Sequence, residues 1–191
     1  MPEKSEEINK FLETIKTFGK VIDNDGIKSK IINNDDSYKI QNWLKESIGE
    51  VKNYELIYRA SEDGDSNSVS FQKCKNIQNL IWIMKDKNNN IFGCFNSIAI
   101  NKTNSYSKDS KCFLYIINRN KKYIPNLNVE NNIYHCSQHL IEFGNNAIFE
   151  FVVGDKFLSS SSVSFTNNNI FNLNLELSVS LEELEVFKVI Q

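Results

Sequence analysis

The sequence predicts a mainly β fold: two antiparallel sheets packed as a sandwich, with short helices at its margins and an amphipathic helix at the N-terminus. Three observations predict it. Short apolar or alternating runs separated by turn residues recur from Tyr54 to Ile190. Aromatic residues are abundant, with 13 Phe and 7 Tyr, and flat rings pack well across strands. The later part of the chain has no strand–helix–strand alternation, so its strands should pair antiparallel.

The elements follow in order. Ile8, Phe11, Leu12, Ile15, Phe18 and Ile22 recur at spacings of three and four, which places them on one face of a helix from about Ser5 to Gly19–Asp23. A helix this short needs a surface for its apolar face, either the domain itself or a second helix in self-association. Asp23-Asn24-Asp25-Gly26 reads as a turn. Residues 1–28 are thus expected to form a helical extension and residues 29–191 the domain proper. A second helix is expected with Asp36 or Ser37 as its cap, Ile40, Trp43, Leu44 and Ile48 on one side, and Gly49 as its stop.

Strands are expected over Tyr54–Ala60, Leu80–Met84, Ile91–Ile100, Cys112–Ile117, Ala147–Val153, Ile170–Val179 and Leu184–Ile190. Asp86-Lys87-Asn88-Asn89-Asn90 reads as a hairpin turn between two of them. A short helix capped by Ser66 should carry Phe71 and Cys74 on its inner side. Asparagine makes up about one residue in seven, well above ordinary usage, and runs such as Asn88–Asn90 and Asn167–Asn169 suit turns because Asn tolerates left-handed backbone angles.

Composition narrows the function. At 191 residues and 40% hydrophobic content the chain can bury a core. A formal charge of −2 gives no broad field for phosphate backbones and argues against nucleic acid. The acidic N-terminus lacks a signal core and no apolar run reaches membrane-spanning length, so an intracellular, cytoplasmic protein without membrane insertion is expected. Cys74, Cys94, Cys112 and Cys136 form no Cys-x-x-Cys pair and read as buried free thiols.

Several segments share one family's wording. Ser29-Lys30-Ile31-Ile32 and Trp43-Leu44 come first, then Leu56-Ile57-Tyr58-Arg59-Ala60-Ser61-Glu62-Asp63-Gly64, Phe71-Gln72-Lys73-Cys74 and Phe92-Gly93-Cys94-Phe95. Asp109-Ser110-Lys111-Cys112-Phe113-Leu114-Tyr115, Phe143-Gly144, a serine run over Ser159–Ser162, and Leu184-Glu185-Val186-Phe187 complete the set. In this order the ensemble resembles TLDc domains over about residues 29–189. Two segments depart from the pattern. Cys94 stands at a usual glycine, so the backbone there should not need glycine-only angles, and His139-Leu140-Ile141-Glu142 replaces the usual Tyr-Gly-Pro region.

The resemblance implies a non-enzymatic protein-interaction module in the oxidative stress response, without a cofactor, whose partner is the vacuolar proton-pumping ATPase. The residues of interest are Arg59, Ser61, Glu62, Asp63, Gly64, Gly93, Gly144 and Glu185. Their charged members are expected either to form a solvated rim or an internal ion pair that fixes strand order, or to take part in a docking surface on loops positioned by the scaffold.

Other chemistries fit the residues less well. Asp63-Gly64-Asp65-Ser66-Asn67 opens like a calcium loop, but Ser68 stands where such a loop needs glycine and Cys74 where it needs glutamate. His135-Cys136-Ser137-Gln138-His139 holds three potential zinc ligands and would need a fourth, such as Glu142 or Cys112. No metal site is expected. A rival function is a cysteine-dependent antioxidant enzyme in which Cys136 or Cys94 reduces peroxide. A weaker one is a nucleic-acid-binding stress regulator using Arg119-Asn120-Lys121-Lys122.

Overall fold

The computed structural model describes residues 26–101, 105–125, 133–135, 142–143, 149–152, 162–165 and 177–191. The expected N-terminal helix lies outside these residues. Helix α1 spans Asn34–Ile48, β1 Asn53–Arg59, α2 Ala60–Asp63, α3 Asn67–Cys74, β2 Leu80–Asp86 and β3 Ile91–Asn96. They are followed by β4 Ser105–Ser107, β5 Phe113–Ile116, a 3-10 turn Ile117–Arg119, β6 Lys121–Tyr123, β7 Ile133–His135 and β8 Glu142–Phe143. Strands β9 Phe149–Val152, β10 Ser162–Phe165 and β11 Leu177–Ile190 complete the order.

Every ladder between these strands is antiparallel, as expected. The two sheets of the expected sandwich are joined, however, in one hydrogen-bonded path, β4-β7-β8-β9-β10-β11-β2-β3-β5-β6, with β1 also on β11. The join is β11 itself. Leu177–Ser180 pair with β10, whereas Leu181–Lys188 pair with β2 and Glu185–Ile190 with β1. A break was expected between Val179 and Leu184. The chain instead stays extended, and a register shift between Leu181 and Glu183 absorbs the change.

Alternation along the strands sorts side chains to two faces. Leu80, Trp82 and Met84 join Phe92, Cys94, Leu114, Leu184 and Val186 in one buried cluster, which also takes in Ile133 of β7. Ile81 and Ile83 join Phe95, Phe113, Tyr115, Phe187 and Val189 in the other. Helix α1 covers the second face with Ile40 and Leu44, both fully buried. Burying one such leucine contributes about 2 kcal/mol. Both faces of β2 are therefore covered, which is why its sequence is a continuous apolar run instead of an alternating one.

The start of α1 differs from expectation. Its N-cap is Asn33, whose side chain accepts from the Asp36 amide at 2.9 Å, so Asp36 lies in the first turn and favours the helix dipole from there. Gly49, at φ 87°, ends the helix as expected. Helix α3 is capped by Ser66 and buries Cys74, also as expected. The 86–90 hairpin turn is built by Asp86, whose Oδ1 accepts from the amides of Asn88 (2.8 Å) and Asn90 (2.7 Å), with Asn89 at φ 62°.

Candidate functional site

The Tyr58–Gly64 segment leaves the sheet at the end of β1. Tyr58 faces one core cluster, so its neighbour Arg59 turns to the α1 side of the sheet. There it meets Glu185 of β11, directly opposite in the ladder, with Nε donating to Oε1 at 2.7 Å. The Arg59 side chain is 8% exposed and that of Glu185 0%. A buried carboxylate needs several donors, and Glu185 has them. Its Oε1 also accepts from the Lys30 amide at 3.0 Å, and its Oε2 accepts from the Ser29 hydroxyl. Burial pulls the Arg59 guanidinium down in pKa, but the hydrogen bonds and charges of Glu185 and then Glu62 override it and hold it above its ordinary value.

Outside this pair the turn is open. Arg59 reaches Glu62 through Nη1 at 2.9 Å, and Lys30 Nζ shares the same Glu62 oxygen. Lys30 and then Arg59 hold the Glu62 carboxyl below the usual range. Asp63 closes the turn on itself, accepting from the Arg59 amide at 2.9 Å and from Lys73 Nζ at 2.5 Å. Lys73 is the main cause of the lowered Asp63 pKa. Ser61 is exposed, and its amide donates to Glu183 Oε1 at 3.2 Å. Gly64 sits at φ 99°, a backbone conformation that side chains rarely adopt, and its carbonyl accepts from the Tyr58 hydroxyl at 2.7 Å.

Arg59, Ser61, Glu62, Asp63, Gly64 and Glu185 thus converge on one end of the sheet. The charged set shows both structural forms expected of it: Arg59 and Glu185 are the internal ion pair, and Glu62 and Asp63 lie in the more exposed rim. Gly93 lies elsewhere and has a packing role. A Cβ there would come within 1.9 Å of the Trp82 carbonyl and 2.5 Å of the Tyr115 hydroxyl. Gly144 lies outside the described residues.

The alternative chemistries fare differently. Cys94 has an ordinary backbone and a side chain buried against the core, as its substitution for glycine implied. Cys94 is fully buried, and burial drives its thiol pKa well above normal, the opposite of what favours a peroxide-reducing thiolate. Of the zinc candidates, His135 pairs in the ladder with Ser105, Glu142 pairs with Tyr134, and Cys112 is buried. Cys136 and His139 lie outside the described residues. In the basic cluster, Lys122 is committed internally: it bonds the Trp43 carbonyl at 3.1 Å and Glu46 at 3.0 Å, and sits over the Phe113 ring. That leaves Arg119 and Lys121 exposed.

Sequence reasoning did not name Ser29, Lys30, Lys73 or Glu183 as members of this site. Ser29 and Lys30 lie 156 and 155 residues from Glu185, so local spacing carries no sign of the contact. No described helix is long and apolar enough to cross a membrane. Among curated proteins, none matches the chain significantly. A family model, that of the TLDc domain, matches residues 26–190, nearly the whole chain and all of the site above. The chain belongs to the TLDc domain family.

Proposed function

We propose that this TLDc domain is a cytoplasmic, non-enzymatic docking module of the oxidative stress response, and that its partner is the vacuolar proton-pumping ATPase, which it binds and regulates. The family's link to oxidative stress resistance supports the setting. The observation that carries the docking role is the contrast at the β1 turn: a buried ion pair fixes the base, while Ser61 and Glu62 are exposed above it. A loop held this way presents polar groups in a fixed arrangement, which lowers the ordering cost of binding. No cofactor takes part in this reading.

The test is capture of proton-pump subunits by the tagged full chain. Ser61→Arg adds bulk and charge at an exposed position and should abolish capture without lowering the unfolding midpoint. Equal capture by the variant and the parent would remove this surface from the interaction.

A further inference from the structure

We propose that Glu183 is a positioning residue of the docking turn, an acceptor supplied across the sheet that closes the start of α2 and fixes Ser61. Helix α2 is four residues long, Ala60–Asp63, too short to hold its shape alone. A helix start leaves amides without partners, which the N-cap side chain ordinarily serves. Here the N-cap is Arg59, which makes no capping bond. Its guanidinium is a donor only and is drawn inward to Glu185. Glu183 takes that place from another strand, its Oε1 accepting from the Ser61 amide at 3.2 Å. The same oxygen accepts from the Leu184 amide at 3.0 Å, so the carboxylate is tied to β11 as well as to the turn.

The register of β11 aims Glu183 at the turn. Leu181 stands opposite Asp86 and Glu183 opposite Lys85, so Glu182 is an extra residue in the ladder with β2. A bulge of this kind reverses the alternation of the side chains that follow it. Leu181 and Leu184, three residues apart, accordingly enter the same buried cluster. With unbroken alternation Glu183 and Glu185 would follow Leu181 into that cluster. The bulge turns both to the α1 side, where Arg59 lies. The two glutamates then hold the turn at two points, Glu185 on the Arg59 guanidinium and Glu183 on the amide two residues further on. The other bonds described for the turn act on Glu62, Asp63 and Gly64. The role of Glu183 in docking rests on the reading above that Ser61 and Glu62 face the partner. Its hold on the turn does not.

Hydrogen exchange of individual amides in the full chain, set beside affinity for the purified proton-pumping ATPase, tests both parts. The Ser61 amide reports the bond itself. The Gly64 amide reports the shape of the turn, because it closes α2 on the Ala60 carbonyl and does not touch Glu183. In Glu183→Ala both should exchange about tenfold faster, the effect of losing one hydrogen bond to a charged group. Amides of β2 should be unchanged, and ATPase affinity should fall. Glu183→Gln keeps an acceptor oxygen and should restore the parent exchange rates and affinity. An unchanged Gly64 rate in Glu183→Ala, or acceleration shared by β2, would overturn the positioning role. Loss of affinity in Glu183→Gln at parent exchange rates would make Glu183 a direct contact of the partner and overturn it as well. Parent affinity in Glu183→Ala would overturn its part in docking. A folded parent that binds no ATPase would overturn the docking reading alone, since the exchange rates decide the hold of Glu183 on the turn without it.

Discussion

The Tyr115 hydroxyl passes over Gly93 to donate to the Trp82 carbonyl at 2.7 Å, linking β5 to β2 across the strand between them. Glycine leaves the backbone of β3 bare at the one point where this ring crosses it. Gly93→Ala should therefore destabilise the domain by about 3 kcal/mol or more, because the new methyl meets a backbone carbonyl that cannot move aside. Tyr115→Phe keeps the ring and should cost about 1 kcal/mol. Urea unfolding midpoints of the two variants check the order.

The Arg59–Glu185 pair predicts strong non-additivity. Removing either partner alone, as Arg59→Met or Glu185→Leu, leaves a buried charge and should cost about 3–5 kcal/mol. The double variant should cost markedly less than the sum of the two. A double-mutant cycle on unfolding free energies measures this. Simple additivity would mean that the two charges do not interact.

Acid should loosen the turn through its rim. Glu62 and Asp63 have folded pKa values below their ordinary ones. Their contribution to stability is complete above the ordinary carboxylate range and is lost as pH falls through the lowered folded values. Exposure keeps that contribution small. Glu62→Gln and Asp63→Asn should each flatten the stability–pH curve in this range, while leaving its shape above pH 6 unchanged.

The core thiols should be inert. Burial pushes Cys74 up to about 12 and Cys94 and Cys112 well above normal. At pH 8 a disulfide reagent should modify these three cysteines only after denaturant is added. Mass spectrometry of the labelled peptides distinguishes them from Cys136. Rapid native labelling of Cys94 would contradict its burial.

The legible parts of this fold were those with local causes. Gly49, Ser66 and Asp86 fix their own turns or helix ends, and each was placed from its neighbours in the chain. The cap of α1 lies three or four residues before the expected Asp36 or Ser37, because Asn33, Asp35, Asp36 and Ser37 are all capping types and tertiary packing selects among them. Strand β11 was divided because Ser178, Ser180, Glu182 and Glu183 interrupt the apolar pattern. Pairing with β10, β2 and β1 in turn carries the strand through that interruption. Short strands such as β4 and β6, at three residues each, fall below what periodicity can detect. At the site, the Tyr58–Gly64 wording located the turn. Arg59 and Glu185 are interior because of the sheet face they take, whereas Glu62 is at the rim because it lies in α2, beyond the end of β1.

The proposed docking of the exposed β1-turn rim on the vacuolar proton-pumping ATPase is open to direct measurement. The most direct measurement is the affinity of purified ATPase for the full chain and for Ser61→Arg, each shown to be folded by its unfolding midpoint. The account predicts binding by the parent and at least a tenfold loss, about 1.4 kcal/mol, in the variant. Absence of binding by the folded parent, or equal affinity of the two proteins, would contradict it.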